Sequence, residues 1–183
     1  YSRVHLERDG QCLHRHGNHR GALINHQIHI KYFDDEVQLQ KALRALPQEC
    51  LQPLGLVSID IPLISNLDVW MNIALIRQYH ENQPAPEAAD MVRRLLRRFN
   101  MESVFNRRNP HLSEEERFCV MLLRAVMVPR SVLIIERPFE ILSSHGDSRF
   151  LHMALSTVND LFTKCYIFDY TWQKNKYGLF DGS

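Results

Sequence analysis

Residues 112–142, LSEEERFCVMLLRAVMVPRSVLIIERPFEIL, decide the fold. The stretch divides into a capped helix, a turn at Pro129, a buried strand and a sharp exit at Pro138. Ser113 followed by Glu116 spells a capping box: the hydroxyl takes a free backbone N–H and the carboxylate reaches back to the cap residue. Val120, Leu123 and Val126/Met127 recur at helical spacing, while Arg117 and Arg124 lie a different way round the helix. Val132-Leu133-Ile134-Ile135 is short, apolar and rich in β-branched side chains, as suits a central parallel strand covered on both faces.

Outward from that stretch the pattern alternates strand and helix. Val4-His5-Leu6 and Ile28-His29-Ile30 alternate like strands. A short amphipathic helix is predicted over 36–46, with Val37, Leu39/Leu43 and Leu46 inward and Pro47 as its stop. LGLVSID, 54–60, reads as a buried strand and its exit. Asp68 is a good N-cap for a helix over 69–80, and Asn82-Gln83-Pro84-Ala85-Pro86 breaks the chain before a second helix over 87–99. Arg93, Arg94, Arg97 and Arg98 stripe that helix opposite Met91, Leu95, Leu96 and Phe99. A solvated face is the plain reading of the stripe, and attraction to anionic lipid head groups is the alternative. A helix over 148–162 and a strand over 165–168 complete the prediction.

Composition sets bounds. A chain of 183 residues that is 45% hydrophobic buries a real core, and its formal charge of +1 gives no global case for a nucleic-acid partner. Cys12, Cys50, Cys119 and Cys165 include no Cys-x-x-Cys pair, which favours free thiols in a reducing compartment. No apolar run approaches the roughly 18–20 residues that cross a bilayer, so membrane association is expected to go through a partner or surface. His14, His16 and His19, near Cys12, are weak metal candidates; with no carboxylate beside them, an Arg/His-rich surface loop is the preferred reading.

The 112–142 stretch resembles the ATP-binding cassette family, the nucleotide-binding domains of ABC transporters. In that family a Leu-Ser-Gly-Gly-Gln/Glu signature is followed by an Arg-Ala pair and an apolar strand ending in Asp-Glu-Pro. Leu112, Ser113, Glu116, Arg117, Val120, Arg124, Ala125, Pro138 and Phe139 fall on the pattern without a gap. Residues 177–180 resemble the family's closing strand. The resemblance implies an α/β fold: a P-loop NTPase-type parallel sheet with a helical subdomain, its phosphate-loop region truncated or absent. It divides the chain into N-terminal strands with an eroded Walker A region (1–60), a helical subdomain (61–111), and a core part with signature helix and Walker B strand (112–183).

Positions that handle ATP in the family depart from it here. Gly17 and Gly21 have the wrong spacing for the phosphate loop, and Ala22-Leu23 stand where Lys and Ser/Thr belong. Either the loop was deleted or it lies outside the sequence. Ile59 takes the place of the Q-loop Gln, and Glu114 and Glu115 replace the signature glycines after Ser113. One carboxylate about 4 Å from a phosphate charge costs on the order of 4 kcal/mol at an effective dielectric of about 20. Glu136 stands for the metal-holding Asp, and Arg137 for the base, a role its permanent charge forbids. Ser143 replaces the D-loop Asp, and Tyr170 falls where the switch His sits.

These departures predict a chain that is not an enzyme and needs no cofactor: a pseudo-ATPase subunit of a transport complex. A residual ATPase using Glu136 and a soluble regulatory or metal-responsive module are the alternatives. The resemblance implies a transmembrane permease partner, whose coupling helix would meet Leu63, Ile64, Leu67 and Trp70. It also implies a second cassette-type subunit, and a cytoplasmic place at the inner (plasma) membrane. Pro138-Phe139 and the LISNLDVWMNIA segment lean towards Mce-type lipid transport.

Overall fold

The computed structural model describes residues 28–49, 52–129 and 131–180. Four strands, β1 (Ile28–Phe33), β2 (Leu54–Val57), β3 (Val132–Glu136) and β4 (Lys164–Tyr170), form one sheet in the order β1-β4-β3-β2. All three pairings are parallel, with Ile30 opposite Ile167, Ile135 opposite Ile167 and Leu56 opposite Ile134. Every residue of β3 is buried, as a strand covered on both faces requires.

The helices are α1 (Glu36–Glu49), α2 (Val69–Glu81), α3 (Ala85–Arg97), α4 (Glu114–Val126), α5 (Pro138–Ile141) and α6 (Arg149–Thr157). None among the described residues is long and apolar enough to cross a membrane. The helix α4 is the keystone. Its capping box forms in full: the Glu116 N–H donates to Ser113 Oγ at 3.1 Å, and the Ser113 N–H donates to Glu116 Oε2 at 2.9 Å. Behind the cap, Phe118 through Leu123, Ala125 and Val126 are all buried, so α4 is apolar nearly all round rather than on one stripe. It packs on β2 and α2. Gly55 of β2 comes so near that a Cβ there would lie 2.3 Å from the Ala125 carbonyl oxygen.

Several sequence expectations are corrected. Val37 is 77% exposed while Leu39 is fully buried, because residues two apart on a helix face different ways. The helix α1 runs past Pro47 to Glu49, since a proline in the last turn removes only a late hydrogen bond. The helix predicted to end at 162 stops at Thr157. Asp68 precedes α2 with extended backbone but makes no side-chain cap bond; its carboxylate accepts from Arg108 Nε at 3.2 Å instead.

The closing strand does not form. Residues Thr171–Tyr177 wind into a 3-10 helix. This turns the buried Tyr177 back so that its hydroxyl donates to Asp169 Oδ2 at 2.6 Å. Asp169 is 2% exposed, and a carboxylate so buried needs donors; the Tyr170 N–H supplies another at 2.8 Å. Burial pushes the Asp169 carboxyl above its ordinary range, and the Tyr177 hydroxyl pulls the other way.

Candidate functional site

In open parallel α/β sheets ligands bind outside the carboxyl ends of the strands, where the loops that follow carry function. Here β1 passes into α1 through Asp34-Asp35 alone. A phosphate cradle is built at such a strand-to-helix junction, from backbone N–H groups at the helix's amino end. In this chain that end holds its own acids. Asp35 Oδ1 accepts the Gln38 N–H at 2.8 Å, and Glu36 accepts from Gln40 Nε2 at 2.8 Å and from the Tyr170 hydroxyl. The hydrogen bond to Glu36 also pushes the Tyr170 phenol up to about 12. The junction does not fit a triphosphate. Gly17, Gly21, Ala22 and Leu23, like His14, His16 and His19, lie outside the described residues. Among the described residues no group of three or more His, Cys, Asp or Glu side chains converges as a metal site.

One residue gathers the acids. Arg137 follows β3 in left-handed backbone, φ 45° and ψ 57°, a conformation that costs a side-chain-bearing residue about 1–2 kcal/mol. Its side chain is only 12% exposed, and its guanidinium meets four carboxylates. Asp60 lies at 2.5 Å, Glu136 at 3.1 Å, Glu140 at 3.3 Å and Glu36 at 3.7 Å. Burial alone would lower the guanidinium's affinity for its proton; Glu136, Glu140, Glu36 and Asp60 together raise it. Glu136, 3% exposed, also accepts from Gln40 Nε2 at 3.3 Å.

A second cluster adjoins the first through Glu140. Ile59, Glu114, Ser143 and Glu140, with Pro62, Arg117, Met121 and Ile141, line a cleft of about 270 Å³. The Glu114 carboxylate faces the turn after α5: it accepts from Ser143 Oγ at 2.5 Å, the Ser144 N–H at 3.0 Å and Ser144 Oγ at 2.8 Å. Led by the Ser143 bond, these hold its carboxyl down at about 2. Glu115 lies 2.9 Å from His145 Nε2. The fold thus draws Ile59, Glu114, Glu136, Arg137, Ser143 and Tyr170, distant in sequence, to one edge of the sheet. Ser113 stays apart from their chemistry as the cap of α4.

The loop between β2 and α2 is pinned from two sides. Arg124 of α4 donates to the Pro62 carbonyl at 2.8 Å and the Ile61 carbonyl at 2.5 Å. Asn72, 1% exposed, accepts the Ile64 N–H at 2.8 Å and donates to the carbonyls of Ile64, Leu67 and Asp68. Leu63 is buried at 4%, and Trp70 is half-buried with its ring stacked on Phe105 at 5.9 Å. Ile59, Ile61 and Ile64 stand out, 44%, 46% and 41% exposed, and Leu67 is intermediate.

Asp60, Glu36, Glu140, Gln40 and Ile61 escaped sequence reasoning. The available signal was acids at or just past three strand ends: Asp34-Asp35-Glu36, Asp60 and Glu136. The arginine stripe of α3 is largely spoken for: Arg93 pairs with Asp90, Arg97 with Glu102, and Arg98 with Asp160. Phe139 is 4% exposed and packs edge-on against Tyr177, so the Pro138-Phe139 pair has a core role in this chain.

No family model matches the sequence, and no curated protein matches it. Solved structures do resemble it. The dimeric structure of MJ0796, a bacterial ABC transporter cassette, is 18% identical with a TM-score of 0.53, over 75% of this chain and 58% of that one. The dimeric post-hydrolysis state of the ATP-binding cassette MJ0796, bound to ADP and Pi, is 20% identical with a TM-score of 0.51, over 76% of this chain and 61% of that one. The chain therefore spans about three-fifths of that cassette's length. At these identities the likeness establishes the fold, that of the ABC ATPase cassette. It also corrects the expectation of a chain that is not an enzyme: one of the solved structures sharing the fold is a cassette in a post-hydrolysis state bound to ADP and Pi.

Proposed function

We propose that this chain is the ATPase-type cassette subunit of a membrane transport assembly, docking on a membrane-embedded permease through the loop between β2 and α2. The observation that carries the docking is the isoleucine triad, Ile59, Ile61 and Ile64, held outward on a loop that Arg124 and Asn72 fasten to the helical core. Exposed apolar side chains on a loop with fixed backbone are costly in water and suit a helix of a partner. Leu67 on the same loop is half-buried, and Leu63 and Trp70 pack into the core. A second cassette facing the cleft of Ile59, Glu114 and Ser143 is part of the same reading, supported by the dimeric state of the neighbour.

The ATPase part rests on the fold class, because the β1–α1 junction does not fit a triphosphate. The two parts are tested separately. Ile64→Asp should release the co-purifying permease while the thermal midpoint stays within about 2 °C, as for an ordinary surface substitution. Undiminished co-purification defeats the docking. Phosphate release by the purified assembly, compared with and without this chain, tests the turnover; equal rates defeat it.

A further inference from the structure

We infer that Arg137 is an electrostatic latch that holds the start of the β2–α2 loop, at Asp60, to the sheet's carboxyl edge. This rests on the docking reading only for its consequence, that a charge change near α1 reaches the docking loop. The geometry is a hub with arms on four elements. Asp60 belongs to the loop itself, between the exposed Ile59 and Ile61. Glu36 opens α1, Glu136 ends β3 and Glu140 lies in α5. No backbone hydrogen bond links Asp60 to α1 or α5 among the described residues, so the guanidinium is what joins these segments.

The backbone supports the same view. A glycine would satisfy the left-handed turn after β3 at no steric cost, yet an arginine stands there, largely buried. Its planar fork spreads donors over several acceptors at once, which a lysine ammonium on a flexible stem does less well. The surrounding acids outnumber it, so losing the guanidinium leaves Glu36, Asp60, Glu136 and Glu140 repelling one another. Arg124 and Asn72 hold the loop from Ile61 onward, so the turn at 58–60, bonded within itself by the Asp60 N–H to Ser58 Oγ and the Ile61 N–H to the Ser58 carbonyl, is the segment that would yield.

Hydrogen exchange on the full chain tests the latch without any partner. Arg137→Ala and Arg137→Gly should speed exchange of the amides at 60–61 and 38–40 at least tenfold, with α4 amides unchanged and Arg137→Lys intermediate. Asp60→Asn should speed 60–61 alone. Raising the salt should accelerate these amides in the parent chain more than in Arg137→Ala, since ion pairs are screened and packing is not. Unchanged exchange at 60–61 in Arg137→Ala overturns the latch, and so does full restoration by Arg137→Gly, which would show backbone strain alone. Should the truncations fail to fold, Arg137→Lys and Asp60→Asn decide by the same amides. Permease co-purification is scored apart from exchange, so failure of the docking leaves the latch standing or falling by itself.

Discussion

Replacing Gly55 by alanine sets two opposed effects against each other. Outside a left-handed turn, Gly→Ala stabilises by about 0.4–1 kcal/mol because the unfolded chain has less freedom to lose. Against this, the new methyl would sit 2.3 Å from the Ala125 carbonyl oxygen and 2.9 Å from its carbon. Both atoms are backbone, in the penultimate residue of the buried helix α4, so no flexible side chain yields. Reaching ordinary contact near 3.4 Å needs β2 and α4 to part by about 1 Å, and overpacking of this kind costs typically 1–3 kcal/mol. The clash outweighs the gain at the middle of both ranges, with a net loss of about 1.3 kcal/mol. For a chain of this size that lowers the thermal midpoint by roughly 3–5 °C. Urea unfolding should show a lower midpoint at an unchanged slope. A Gly55→Ala chain as stable as the parent would refute the close approach of β2 to α4, and with it the seating of Arg124 on the docking loop.

Ser113→Ala should cost about 0.5–2 kcal/mol in the same assay, because the Glu116 N–H loses its Oγ acceptor while the backbone N–H of residue 113 keeps the Glu116 carboxylate; a neutral result would mean the serine cap adds nothing to α4. Tyr177→Phe strips Asp169 Oδ2 of its donor, so a loss of about 1–3 kcal/mol is expected, and a stable variant would show that another donor moves in. Glu114 supplies a pH test. Its folded-state carboxyl is depressed from 4.5 to about 2, so its contribution is present above 4.5 and disappears as pH falls through that window. The stability gap between the parent and Glu114→Gln should therefore shrink on acidification from 4.5 towards about 2; a gap constant with pH would remove the Ser143–Ser144 clamp.

The sequence by itself determined the elements whose causes are local. A capping box needs only Ser113 and Glu116 three residues apart, and β3 needs only a run of apolar, β-branched side chains, so both were legible and both formed. The same holds for the parallel α/β class. Tertiary structure alone decided what depends on residues far apart. Val37, Leu63 and Ile64 are equally apolar in sequence, and only packing sorts them into an exposed end of α1, the core, and a surface loop. Tyr177 was read as strand because no local rule announces that a buried carboxylate at Asp169 will claim its hydroxyl. The hub at Arg137 was invisible for the same reason. Its partners are spread from residue 36 to residue 140, and only the parallel sheet, by ending its strands side by side, brings their charges within reach of one guanidinium.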